Sequence, residues 1–453
     1  MRRLLFLAAL VFASCEKKPV EVGEQSLTVH FTCDTFGRLE PCGCFTGQHG
    51  GMTRLRTWLQ GQDRDGPSLR LDVGGALAGS HDYDRIQYAY LLRAYSAMGY
   101  RALNIGGREA EVTADQLKAM TAGSPVPIIS ASLIDASTRE PLLDPYVIVE
   151  DGGRKIGILG LIDPASCPDP GKGLAILDMP AAVDRVLPDL KEKSDVIIVL
   201  AFTGNPGMEQ LARSYFEFDM ILGGDVRQPA QYLETVNESV IAYTTNEGRT
   251  VATMKATISA GERPRLVDPS YKVELLHEKI PQDPEFRQMV KEYREEIRET
   301  ELDVDRPGEN GSSDAIPGVT AAATYVGSES CQACHQDEHA VWAKSGHAHA
   351  FETLVKLGAE SDPHCIKCHT VGFGEESGYR REYGANKLTG VGCESCHGPA
   401  SEHVSEMTSG RPKRFKFRPL GAADCTGCHY GEFSRPFDWE KFWPHVRHGD
   451  DGP

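Results

Sequence analysis

Cys331-Gln332-Ala333-Cys334-His335, Cys365-Ile366-Lys367-Cys368-His369, Cys393-Glu394-Ser395-Cys396-His397 and Cys425-Thr426-Gly427-Cys428-His429 are four copies of one pattern, C-x-x-C-H. Each has the spacing for covalent attachment of haem c. Two thiols add across the porphyrin vinyls, and the adjacent His becomes the proximal iron ligand. At this chain's Cys and His frequencies, on the order of 0.01 matches would arise by chance. Structural zinc and disulfides compete for the same cysteines. Zinc has no need of a His after every second Cys, and a disulfide leaves four His unexplained.

Four haems also explain how this segment folds. Over roughly 130 residues it has few long apolar runs, so side chains alone build little core. Flat porphyrin surfaces supply one, and folding and function then rest on the same cofactors. Seven further His lie in the segment: His339, His347, His349, His364, His403, His445 and His448. That supply favours bis-His iron, which changes oxidation state with little rearrangement and suits electron transfer. Any one of them chosen blindly is as readily a surface residue or a partner of a haem propionate.

The whole chain has 453 residues, 40% hydrophobic and 25% charged, with a formal net charge of −17. Its length points to two domains, and its acidity argues against nucleic acid as a partner. At the N-terminus, Arg2 and Arg3 precede an apolar stretch over 4–12 and then Ala13-Ser14-Cys15. This pattern predicts an export signal, too short to span a bilayer, ending at a lipobox Cys. Lipidation of Cys15 would anchor the protein to a membrane. Phe12 stands where Leu is usual, and Glu16 after the Cys resembles the sorting rule that favours the outer membrane. The expected organisation is a signal over 1–15, a tether over 16–26, an α/β domain over 27–280, a charged helix and linker over 281–324, and a haem domain over 325–453.

Within 27–275, short apolar runs at 27–32, 69–73, 102–105, 127–130, 155–161, 195–201 and 219–222 read as buried strands. Amphipathic helices are expected at 52–59, 85–98, 181–191 and 207–215. Alternation of the two argues for a largely parallel sheet. The charged pattern at 283–302 reads as a solvated connecting helix.

Tyr325-Val326-Gly327-Ser328, Trp342…Ser345-Gly346-His347-Ala348…Ala350-Phe351, Gly392-Cys393-Glu394-Ser395-Cys396-His397-Gly398-Pro399…His403 and Trp443…His448-Gly449 together resemble the tetrahaem cytochrome c family associated with hydroxylamine oxidation, of the c-554 type. The resemblance covers about 325–450. It implies a mostly α-helical and irregular multihaem domain, with His347, His403 and His448 as distal iron ligands. The fourth iron is left to His364, His349 or His445, or to an open position.

The α/β region resembles the 5′-nucleotidase and UDP-sugar hydrolase (UshA-like) branch of the metallophosphoesterases, which implies an α/β sandwich. The residues that carry the likeness are Thr32-Cys33-Asp34-Thr35-Phe36-Gly37-Arg38-Leu39-Glu40, Leu71-Asp72-Val73-Gly74-Gly75, Ile105-Gly106-Gly107-Arg108-Glu109 and Leu222-Gly223-Gly224-Asp225-Val226-Arg227. Of that family's metal ligands, Asp34 persists. Phe36, Gly75, Gly107, Arg108, Phe202, Asp225 and Arg227 occupy the other positions. Phe and Gly cannot ligate, and Arg brings positive charge where cations should sit, so hydrolysis is not expected. Pro41-Cys42-Gly43-Cys44 with Gly50-Gly51 resembles a nucleotidase-like family in which this Cys pair can carry selenocysteine. That resemblance implies redox or soft-metal chemistry at Cys42 and Cys44, with Cys33 as a resolving thiol; structural or idle thiols are the alternative.

Electron transfer in the bacterial cell envelope, with redox proteins as partners and an envelope-facing lipoprotein location, is the reading these features favour. The alternative is an oxidoreductase acting on a small nitrogen or sulfur compound at an open haem or at Cys42/Cys44. An active metal-dependent nucleotidase fits least.

Overall fold

The computed structural model describes residues 23–41, 48–245, 247–261, 264–305, 323–410, 420–429 and 437–448. Cys15, Cys42 and Cys44 lie outside the described residues.

Among the described residues, the N-terminal region contains fourteen strands. They are β1 (Gln25–Thr32), β2 (Leu69–Asp72), β3 (Ala102–Asn104), β4 (Ile128–Ile129), β5 (Leu133–Asp135), β6 (Tyr146–Asp151) and β7 (Arg154–Ile162), followed by β8 (Leu174–Ile176), β9 (Val196–Phe202), β10 (Met220–Gly224), β11 (Glu234–Val236), β12 (Ser239–Tyr243), β13 (Thr250–Ile258) and β14 (Leu266–Leu275). One six-stranded sheet runs β14-β13-β1-β2-β3-β4 and a second runs β11-β12-β10-β9-β7-β6. The parallel sheet expected from alternating strands and helices is present at both centres: β1 to β4 in the first, and β12-β10-β9-β7 in the second. Antiparallel strands β13 and β14 on one side, and β11 and β6 at the two rims, make each sheet mixed.

Four helices come early in the chain: α1 (Met52–Gln62), α2 (Asp82–Ala97), α3 (Gly107–Glu111) and α4 (Ala114–Thr121). Strand alternation explains the layers. In β9 every residue is buried, but Val196, Ile198, Leu200 and Phe202 face the core between the sheets. Ile197, Val199 and Ala201 face the opposite core, beneath α5 (Met179–Lys193) and α6 (Asn205–Ser214). Side chains of period two thus serve two apolar layers, which is why the strand reads as an uninterrupted apolar run.

Helix α7 (Pro284–Glu299) corrects one expectation. It is not solvated all round: Phe286, Val290, Tyr293 and Ile297 are buried in the same core as α1 and α2. Spacings of four, three and four residues align them as one stripe, while Glu, Lys and Arg fill the rest of the surface. Asp283 caps its N-terminus by accepting from Phe286 N (3.0 Å).

Beyond residue 323 the chain forms short helices, among them Glu329–Gln332, Gln336–Ala343, Ala350–Leu357, Pro363–His369, Cys393–His397, Ser401–Thr408, Ala422–Cys425 and Trp439–Phe442. Its apolar cluster among the described residues is small: Phe351, Leu354, Ala359, Ile366, Val371, Tyr379 and Leu388. The helices Glu329–Gln332, Gln336–Ala343, Ser401–Thr408, Ala422–Cys425 and Trp439–Phe442 bury no residue of their own. Protein side chains alone do not account for this arrangement.

The segment is docked on the sandwich. Arg381 donates to Ile297 O (2.6 Å), Thr300 O (2.7 Å) and Ser361 O (3.3 Å), and pairs with Asp305 (2.5 Å). Tyr293 donates to Asp362 (3.4 Å), and Arg294 joins Glu40 to Leu357 O.

Candidate functional site

The four C-x-x-C-H motifs lie close together. The Cys331 thiol contacts Cys393, and Cys368 contacts Cys428. Cys396 sits within electrostatic reach of Cys425. The spatial order is therefore first, third, fourth, second, with the second motif at the end that meets the sandwich.

Three imidazole pairs stand out. The ring centroids of His335 and His403 are 6.1 Å apart, those of His347 and His429 are 6.0 Å apart, and those of His397 and His448 are also 6.0 Å apart. A metal–imidazole bond of about 2.0–2.1 Å on each side of one ion requires a centroid separation of roughly this size. Each pair couples a motif His with one of the three His the resemblance assigned as distal ligands. His448 Nδ1 donates to Val446 O (2.8 Å), and the motif residue His369 donates through Nδ1 to Ala350 O (2.7 Å). A carbonyl on Nδ1 fixes the ring and leaves Nε2 for a metal, as in metal-bound imidazoles generally. The residues fit the covalent haem that the motif implies.

The other His are placed differently. His364 does not turn toward an iron site; its Nε2 lies 3.2 Å from Asp84 Oδ1, and its ring meets Tyr83 edge-on at 5.0 Å. Burial opposes its protonation, but the Asp84 hydrogen bond and the nearby Asp362 raise its pKa above the ordinary imidazole value. His349 is exposed, with Nδ1 on Glu352 (3.0 Å) and Nε2 donating to Ala343 O (3.2 Å). His339 packs against Trp342 with centroids 5.1 Å apart, and His445 lies in a 3-10 turn near the end of the chain.

In the sandwich, the place of the phosphoesterase metal cage is filled. Arg108 pairs with Asp34 (2.8 Å), and its guanidinium lies over the Phe36 ring at 3.9 Å. Gly75 has φ +77°, and a Cβ there would meet Asp34 Oδ1 and Phe202 Cε2 at 3.1 Å each. The position of a bridging carboxylate is thus closed by an aromatic ring. Glu109 ties the neighbouring loops by accepting from the N–H groups of Leu77 (2.7 Å), Gly106 (3.1 Å) and Gly75 (3.3 Å). Asp225 accepts from Ser166 Oγ (2.5 Å), and Arg227 is exposed. These residues do not fit a pair of hydrolytic metal ions.

Cys33 corrects the expectation of a resolving thiol. It is 2% exposed, its Sγ is aimed at Gly74 O (3.5 Å), and Gly224 closes over it. Burial pushes the thiol well up, away from the thiolate that exchange requires.

The N-terminal region has a calcineurin-like metallophosphoesterase fold, and the C-terminal segment carries the attachment motifs of a c-type cytochrome. Residues 330–398 match the family model described as "Cytochrome c554 and c-prime". Cytochrome c-554 of Nitrosomonas europaea is 38% identical over 96 residues, covering 18% of this chain and 41% of that protein. A 5′-nucleotidase of Vibrio cholerae is 28% identical over 256 residues, 49% of this chain and 45% of that protein. The chain thus spans less than half the length of either curated relative. Among solved structures, a 5′-nucleotidase precursor from Thermus thermophilus matches with TM-score 0.52 and 23% identity, covering 60% of this chain and 59% of that one. Calcineurin-like phosphoesterase YfkN from Bacillus subtilis matches with TM-score 0.52 and 18% identity, covering 60% and 97%. The C-terminal segment resembles the c554 cytochromes, and the N-terminal domain has the 5′-nucleotidase fold. The family match takes in the first three motifs and ends before the fourth.

Residues the motif reading missed are those that hold the site: Asp84, Arg381, Ser328 and the carboxylate of Glu394. The first two are distant in sequence from any motif. Glu394 stood inside one, with only its charge as a signal.

Proposed function

We propose that this protein is a four-haem electron carrier of the bacterial cell envelope, attached through Cys331/Cys334, Cys365/Cys368, Cys393/Cys396 and Cys425/Cys428. His335, His369, His397 and His429 serve as proximal ligands; His403, His448 and His347 are the distal ligands for the His335, His397 and His429 irons. The observation that carries this reading is the set of three imidazole pairs at 6.0–6.1 Å. Bound haem supplies a one-electron ferric/ferrous couple. The protein's part is to fix two imidazoles on each of these irons, which leaves no open position there for a substrate. The close order of the motifs, first–third–fourth–second, suits a relay that ends against the sandwich. Redox proteins are the partners this implies.

An envelope location rests on the signal-like 1–15 segment, and a membrane tether on lipidation of Cys15, with the outer membrane favoured by Glu16. The phosphoesterase-like domain acts here as a scaffold and not as a hydrolase, because Arg108, Phe36 and Phe202 fill its metal cage.

A second reading has one specific support. Arg294 joins Glu40 to Leu357 O, which holds the residues just before Cys42 beside the second motif. On this reading Cys42 and Cys44 form a thiol redox site served by that end of the relay.

The test uses the full chain matured in a cytochrome-competent host. Its mass should rise by four haems, and electron paramagnetic resonance of the oxidised protein should show at least three low-spin ferric signals indifferent to cyanide. A colourless product of unmodified mass, or high-spin iron at two or more sites, would sink the proposal. Loss of a low-spin component in His403→Ala, His347→Ala and His448→Ala tests each pairing separately.

A further inference from the structure

Glu394 lies between the two cysteines of the third motif and is only 3% exposed. Its Oε1 accepts from Val326 N (3.0 Å) and Ala400 N (2.9 Å); its Oε2 accepts from Gly327 N (2.7 Å) and Val326 N (3.1 Å). Among the described residues no Lys or Arg pairs with it. Hydrogen bonds from backbone amides are the partners of this buried carboxylate, in place of a counter-charge.

The three amides belong to two functional pieces, and Glu394 ties both to a third. Val326 and Gly327 lead into the first motif, Glu394 itself belongs to the third, and Ala400 immediately precedes the helix Ser401–Thr408 that presents His403 to His335. A second strap runs alongside, where Cys393 N donates to Ser328 Oγ (3.1 Å). The Cys331 and Cys393 thiols touch beside these straps. One side chain therefore holds the approach to a proximal ligand, the approach to its distal ligand, and the adjoining attachment site.

We propose that Glu394 is a positioning residue that aligns both axial imidazoles of the first haem and lowers the reduction potential of the first and third haems together. A buried negative charge beside two irons stabilises the ferric state of each over the ferrous state, which carries one positive charge fewer. The carboxylates beside the fourth and second attachment sites are Asp424 and Asp362, and Glu394 is separate from both. This inference rests on the four-haem reading above.

The test compares Glu394→Gln and Glu394→Asp with the wild type, all as matured holoprotein. The readouts are haem count by mass, a spectroelectrochemical titration, and low-temperature paramagnetic resonance. In Glu394→Gln, which removes the charge at nearly constant shape, two of the four potentials should rise while the other two stay. In Glu394→Asp, which keeps the charge on a shorter arm, the potentials should stay low while the low-spin signal of the His335/His403 iron shifts. Four potentials unchanged in Glu394→Gln, or all four moving together, would overturn the proposal. Should Glu394→Gln fail to mature, Glu394→Asp decides alone, and an unaltered low-spin spectrum overturns it. Failure of the four-haem reading is seen in the wild type itself, as a wrong mass or missing low-spin iron, so the two failures are distinguishable.

Discussion

Arg381 is the side chain on which docking of the haem segment depends most. Its guanidinium is 8% exposed and holds the Ile297 and Thr300 carbonyls at the C-terminal end of α7, the Ser361 carbonyl and the Asp305 carboxylate. Truncation to Ala would leave Asp305 and three carbonyl oxygens without this donor. Removing one partner of a buried ion pair costs about 3–5 kcal/mol. Asp305 is 22% exposed and regains water, which places the expected loss near the lower end, about 3 kcal/mol. At about 1.4 kcal/mol per tenfold, the equilibrium between docked and undocked segment should shift roughly a hundredfold. Thermal unfolding of the holoprotein, followed by Soret absorbance for the haem segment and far-ultraviolet dichroism for the sandwich, reads this directly. Arg381→Ala should separate two transitions that coincide in the wild type, with the Soret change moving to lower temperature. Arg381→Lys should behave almost as badly, because one ammonium cannot serve carbonyls and carboxylate in a planar fork. Wild-type behaviour of both variants would refute the account of the interface.

Two further expectations concern the sandwich. Asp72 is buried and accepts from Thr32 (2.6 Å), Tyr95 (2.8 Å) and Gly74 N (2.9 Å); burial raises its carboxyl from 3.8 to about 7. The folded state therefore binds a proton that the unfolded chain has already released, so stability falls as pH rises from about 4 to 7, by at most about 4 kcal/mol. Urea midpoints of the dichroism transition should decline across that window, and Asp72→Asn should flatten the decline; an unchanged slope in the variant refutes it. Cys33 should resist iodoacetamide in the native protein at pH 8 and react on unfolding, as peptide mass mapping would show; ready native labelling would mean the thiol is open.

Legibility followed burial only in part. Buried central strands such as β9 and β10 are continuous apolar runs and were plain in the sequence. The strands β6, β11, β12, β13 and β14 were not: β11 has one apolar residue in three, and Thr, Lys, Asp or Glu interrupt the apolar residues of β13 and β14. In α7, sixteen residues dominated by charge concealed a four-residue stripe that tertiary packing selects. The attachment motifs are local and could be read outright, whereas the imidazole pairs join residues far apart in the chain, and no local pattern encodes such a meeting. His364 illustrates the difference: it was one of three His left for the fourth iron, yet its partner is Asp84 in the N-terminal domain.

The pairing of His397 with His448, and of His429 with His347, also bears on how the molecule is made. If the chain is exported N-terminus first, as proposed, His347 would emerge before the fourth motif, and that site would meet its partner already waiting. The third site would meet His448 only after the fourth motif has emerged. A truncation or proteolytic nick that removes only the tail around Trp443 to His448 would therefore disable a centre in the middle of the relay and spare the one nearest to it in sequence.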